Sequence, residues 1–133
     1  GRSARAKTSL CVSSQVGCVR GCRFCSTGAM GIVRSLSPDE ILATVVLSRR
    51  EAALRALPSV DNIVFMGMGE PLDNPDAVIP ALSALTDANR FDFSRAKVLI
   101  STVGPSPEAL LRLADVDCQL AWSVHAADDA TRS

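Results

Sequence analysis

Asn62-Ile63-Val64-Phe65-Met66-Gly67-Met68-Gly69-Glu70-Pro71 is the stretch that decides the fold. Ile63 to Met66 run apolar without alternation, the pattern expected of a strand covered on both faces. Two glycines and a proline then close it in a turn, and a helical period follows from about Asn74. A buried strand, a glycine-rich turn and a helix form half of a β-α-β unit.

Working outward, the same unit repeats. Residues 74–88 are read as a helix with Val78, Ile79, Leu82 and Leu85 on one stripe, and Pro80 is expected to bend it early. Val98-Leu99-Ile100-Ser101-Thr102 is the next strand. Ser106-Pro107-Glu108 opens a helix carrying Leu110, Leu111 and Leu113, and Leu120 to Val124 form a fourth strand. Upstream, Ser37-Pro38-Asp39-Glu40 is a helix start with a capping residue, a proline at the first helical position and a glutamate to close a capping box. Ile41, Leu42, Val45, Val46, Ala53, Leu54 and Leu57 follow at helical spacing until Pro58. Gly17 to Gly31 has no lasting period and reads as a loop; Leu10-Cys11-Val12 reads as the first strand. The order implies an α/β fold with a parallel sheet of about four strands and three helices joined by right-handed crossovers. Such a sheet reads as part of a larger (β/α) barrel. We take residues 1–133 as one incomplete barrel domain, with 1–9 as a basic arm.

Composition narrows the class. The 133 residues are 47% apolar and 21% charged, the balance of a globular chain. No apolar run approaches the roughly 20 residues that cross a bilayer. Gly1 to Lys7 carries no apolar segment of a secretory signal, so the expectation is a cytoplasmic protein with no membrane contact. Net charge is zero, with 14 basic and 14 acidic residues. Arg2, Arg5, Lys7, Arg20 and Arg23, however, precede the first acid in the chain. They form either a patch facing a polyanion or a solvated arm.

Five cysteines are an odd number for a disulfide framework, and three crowd into Cys18-x-x-x-Cys22-x-x-Cys25. Three soft thiolates in one glycine-rich loop suit the corners of an iron–sulfur cube. Three protein ligands leave a fourth iron open, as catalytic metal sites require. The alternative is a structural zinc site, completed by Cys11, Cys118 or His125.

Four ordered motifs then carry a resemblance. They are Cys11-Val12-Ser13-Ser14-Gln15-Val16-Gly17-Cys18, Cys22-Arg23-Phe24-Cys25-Ser26-Thr27-Gly28, Gly67-Met68-Gly69-Glu70-Pro71 and Ser123-Val124-His125-Ala126. Together they resemble the RlmN/Cfr class of radical S-adenosylmethionine (SAM) RNA methyltransferases over nearly the whole chain. The resemblance implies a partial radical SAM barrel with a 4Fe-4S cluster on Cys18, Cys22 and Cys25. It also implies SAM contacts at Gly69, Glu70, Ser101, Ser123, Val124 and His125. Glu70, at a strand end, suits the cofactor ammonium, and the glycines beside it are expected to let backbone approach the ligand. The activity implied is methylation of adenine C2 in ribosomal and transfer RNA, with an electron donor such as flavodoxin or ferredoxin. In that class a methyl group carried on one cysteine is transferred by radical chemistry, and a second cysteine resolves the protein–RNA link through a disulfide. Cys11 matches the resolving cysteine; a buried structural thiol is its plain alternative. The methyl-carrying cysteine is expected beyond residue 133, and Cys118 is read as core. Rival readings are a Cfr-like C8 methyltransferase or another radical SAM enzyme, and a non-catalytic fragment binding zinc or a cluster. One departure is Val103, where the class usually has a second hydroxyl.

Overall fold

The computed structural model describes residues 6–132. Strands β1 (Thr8–Cys11), β4 (Val60–Phe65), β5 (Val98–Thr102) and β6 (Gln119–Trp122) form one sheet in the order β1-β4-β5-β6, with every pairing parallel. Helices α2 (Pro38–Leu54), α3 (Pro75–Thr86) and the short α4 (Pro107–Leu111) make the crossovers. The expected parallel α/β architecture is present.

Helix α2 begins as the sequence requires. Ser37 Oγ accepts from the Glu40 N–H, the Glu40 carboxylate accepts from the Ser37 N–H, and Pro38 occupies the first turn. Its buried residues are only Ile41, Val45 and Ala52; Val46 and Leu54 face solvent, and the helix stops before Leu57. The apolar stripe is therefore narrower than its sequence period suggests. Helix α3 continues through Pro80 and buries Ala77, Val78, Ala81, Leu82, Ala84 and Leu85. The carbonyl freed by Pro80 belongs to the first turn, where the missing bond costs least.

The core lies between these helices and one sheet face, where Ile63, Phe65, Val98 and Ile100 are buried. Strand β4 was expected to be covered on both faces, but only this one is fully buried. Val64 and Leu99 on the other face are half-buried and Met66 is exposed. Right-handed crossovers put α2 and α3 on the same side of the sheet.

Three local readings need correction. The supposed loop from Gly17 to Gly31 contains α1 (Ser26–Met30), and it is bracketed by β2 (Gln15–Gly17) and β3 (Ile32–Ser35), paired antiparallel as a second, two-stranded sheet. Strands this short are paired by backbone geometry and leave no period to read. The fourth strand ends at Trp122, so Ser123, Val124 and His125 lie on the loop beyond it. The basic arm, expected over 1–9, gives way to β1 at Thr8; Arg2 and Arg5 lie outside the described residues. A short α5 (Asp129–Arg132) follows the last strand. Among the described residues no helix is long and apolar enough to cross a membrane.

Candidate functional site

A parallel sheet gathers the loops that leave its strands at one end, and ligand sites form there. Here the turn after β4, the end of β5 and the loop after β6 meet the cysteine loop around a cavity of about 440 Å³. Cys18, Cys22 and Cys25 line it, together with Gly69, Glu70, Ser101, Ser123 and His125. Eight of the ten residues singled out in the sequence thus share one cavity. Val124 faces an adjoining cavity of about 500 Å³ with Trp122 and Val103. Cys11 sits at the site end of β1 and is exposed, which overturns the plain alternative of a buried thiol. Cys118 is buried in the core beside β6, and burial raises its thiol pKa, as a structural cysteine's should be. A larger concavity, about 630 Å³, opens at the opposite ends of the strands and contains none of these residues.

The cysteine loop is folded on itself. Cys18 N–H donates to the Gly31 carbonyl at 2.9 Å and Cys25 N–H to the Cys22 carbonyl at 3.0 Å. A Cβ on Gly28 would stand 2.7 Å from the Cys22 carbonyl oxygen, so only glycine lets α1 pack against that peptide. The backbone N–H of Gly28, then that of Thr27, points at the Cys25 sulfur and lowers its pKa, which favours the thiolate that metals need. The Phe24 ring meets His125 edge-on, centroids 4.4 Å apart, which links this loop to the one after β6. Among the described residues no three His, Cys, Asp or Glu side chains meet at a single-ion site. A cubane takes each thiolate at a separate corner, so its ligands need no common point.

Glu70 is 4% exposed, yet its carboxylate is well partnered. Oε1 accepts from the Leu72 N–H at 3.0 Å and from the Thr102 hydroxyl; Oε2 accepts from the Val103 N–H at 3.0 Å. A carboxylate offers about four acceptor positions. Three are filled by the protein, and one on Oε2 is not. Val103 acts here through its backbone, so the missing hydroxyl does not disturb this contact. Ser101 Oγ and Ser123 Oγ lie 2.9 Å apart across the ends of β5 and β6, and the pair retains one donor and free lone pairs.

The glycines beside Glu70 line the cavity and also make room within the protein. Gly69 has φ +93, and a Cβ there would stand 2.6 Å from Gln15 Cβ; at Gly67 it would stand 2.5 Å from Ser13 Oγ. On the side where a Cβ would stand, residues 13–15 fill the space. Both glycines let the β2 segment press onto the turn, where Gln15 Oε1 accepts from the Glu70 N–H at 3.2 Å. Ser14 Oγ, fully buried next to Gly69, has no hydrogen-bond partner.

Sequence reasoning missed Thr102, Gln15, Asp73 and Asn74, and read Arg20 only as part of a basic stretch. Thr102 and Gln15 stand inside or beside motifs already marked. Arg20 pairs with Asp73, so it is not part of an unpaired basic patch. The donor set, three soft thiols facing a buried carboxylate, two hydroxyls and an imidazole, fits a thiolate-bound metal cluster beside a zwitterionic nucleoside.

The model of the radical SAM superfamily matches residues 12–133. The probable RNA methyltransferase sce1580 of Sorangium cellulosum is 46% identical over 127 residues, covering 96% of this chain and 32% of that protein. The dual-specificity RNA methyltransferase RlmN of Geotalea uraniireducens is 46% identical over 126 residues, 95% of this chain and 35% of that one. The crystal structure of a radical SAM methyltransferase from Sphaerobacter thermophilus superposes with a TM-score of 0.85 at 40% identity, over 93% of this chain and 36% of its own. The chain spans about a third of the length of the curated relatives it matches.

Proposed function

The chain belongs to the radical SAM superfamily, and from that premise we propose that it is the cofactor-binding part of an RlmN-type enzyme that methylates adenine C2 in ribosomal and transfer RNA. The observation that carries this reading is one cavity lined by both the three cysteines and Glu70, Ser101, Ser123 and His125. Relatives named as RNA methyltransferases support the substrate class.

In this reading Cys18, Cys22 and Cys25 each ligate one iron of a 4Fe-4S cluster and leave the fourth iron open. Glu70 Oε2 receives the ammonium of SAM, held in place by Thr102 and the Val103 N–H. Gly69, Ser101, Ser123, Val124 and His125 hold the rest of the cofactor. Together the two groups supply one-electron reductive cleavage of a sulfonium, chemistry able to functionalise an adenine carbon too weakly nucleophilic for polar methyl transfer. Cys11, exposed at the site end of β1, is the thiol that resolves the protein–RNA link through a disulfide. RNA and a small electron donor such as flavodoxin or ferredoxin are the partners. A reducing cytoplasm suits five free cysteines.

Anaerobic reconstitution with iron and sulfide tests the reading. The parent chain turns brown, Cys22→Ala loses the iron, and Glu70→Ala keeps the iron but binds SAM more weakly. A full iron load on Cys22→Ala overturns the ligand assignment. A colourless protein with one tightly held zinc overturns the catalytic reading. Nucleoside analysis of RNA treated with the whole protein separates 2-methyladenosine from the 8-methyladenosine of a Cfr-like enzyme.

A further inference from the structure

No residue from Val19 to Met30 is buried, so the loop bearing the cysteines is not fixed by the hydrophobic core. Its backbone bonds tie it to itself and to the small antiparallel sheet. Contacts across to the parallel sheet must come from side chains, and Arg20 makes a prominent one. Its guanidinium forks onto Asp73, Nε to Oδ2 at 2.7 Å and Nη2 to Oδ1. A planar two-point contact restrains direction as well as distance. Asp73 is well placed to receive it. It ends the 3₁₀ turn Pro71–Asp73, and its own N–H donates to the Glu70 carbonyl at 3.0 Å. The side chains are 32% and 17% exposed, so solvent screens the pair only in part.

We propose that the Arg20–Asp73 pair is a positioning clamp that sets the distance between the cysteine loop and the Glu70 turn, and so the span that a bound sulfonium cofactor must bridge. The inference rests on the function proposed above, because it matters only if one ligand touches both sides. Arg20 lines the same cavity, but its guanidinium is engaged by Asp73. It acts through the loop it holds, two residues from Cys18 and two from Cys22. Functional geometry of this kind is lost with displacements of about 0.5 Å, which a loop without buried side chains does not resist unaided.

The test uses the full chain, reconstituted anaerobically, with Arg20→Leu, Asp73→Leu, the double variant, Arg20→Lys and the reversed pair Arg20→Asp/Asp73→Arg. Three quantities are read: iron per chain, Kd for SAM, and the change in the reduced cluster's paramagnetic resonance when SAM is added. Iron loading should match the parent in every variant, since the thiols are intact. Each leucine variant should raise Kd about fivefold to twentyfold, the range expected of a partly buried, two-point ion pair, and blunt the spectral response. The double variant should be no worse than either single one. Arg20→Lys should fall between, and the reversed pair should recover part of the affinity. An unchanged Kd and spectrum in Arg20→Leu, or additive losses in the double variant, overturns the clamp while leaving the proposed function standing. A parent chain that takes up no iron overturns both.

Discussion

The parallel sheet and the cysteine loop are held together by different forces, although they meet at one cavity. The sheet rests on apolar burial: Ile63, Phe65, Val98, Ile100, Leu82 and Leu85 are almost wholly removed from water. Such stabilisation is spread over many contacts and grows with area. The cysteine loop has no buried residue between Val19 and Met30 and is located by single points. These are the Arg20–Asp73 fork and the Phe24–His125 ring contact, while Gly28 against Cys22 packs the loop on itself. A scaffold of the first kind tolerates local error. A loop of the second kind does not, but it leaves its thiols reachable for metal.

Removing one side chain from each region gives the sharpest contrast. Leu82→Ala empties part of a fully buried site and should cost about 2–5 kcal/mol of stability in denaturant unfolding. Cys22→Ala, half-buried on the loop, should change the stability of the metal-free chain by no more than about 0.5 kcal/mol. Equal losses from the two would erase the distinction.

The join between the regions should give an intermediate effect. Asn74 Nδ2 donates to the carbonyls of Ser14 and Leu36, both at 2.8 Å, and so grips the segments on either side of the small sheet. Asn74→Ala strands the Leu36 carbonyl and leaves the Ser14 carbonyl only the Leu36 N–H, at a cost of about 1–3 kcal/mol. Amide exchange should quicken in β2 and β3 while the Ile100 amide stays protected. Uniform acceleration would mean that the small sheet does not open independently.

The same contrast explains what could be read in advance. Strand β5 was legible because Val98-Leu99-Ile100 is a continuous apolar run, and the capping box at Ser37 because it is a local code. The convergence of Glu70, Ser101, Ser123 and His125 followed from strand direction alone, since parallel strands deliver their ends to one side. Strands β2 and β3 were invisible: at three and four residues they have no period, and β3 is exposed throughout. That Gly67 and Gly69 also make room for residues 13–15 could not be read, because a glycine does not announce which neighbour needs its space. Arg20 and Asp73 are 53 positions apart, and only the folded chain relates them.

The smallest effect expected lies at the N-terminus of α2, where electrostatics rather than packing is in play. Arg34 donates to Glu40 at 2.8 and 2.9 Å, and with the Ser37 N–H it lowers the Glu40 pKa from 4.5 to about 2. A depressed folded-state pKa stabilises the fold above the unfolded value, and that contribution fades as pH falls from about 4.5 towards 2. Glu40→Gln keeps an acceptor for the Ser37 N–H but removes the charge, so it isolates this one titration from those of the other carboxylates. The stability difference between parent and variant should be small and constant above pH 5, then shrink to nothing by about pH 2. Salt should reduce it, because Arg34 and Glu40 are about half exposed. A difference that stays level from pH 5 to 2 would show that Glu40 serves α2 by cap geometry alone, with its charge idle.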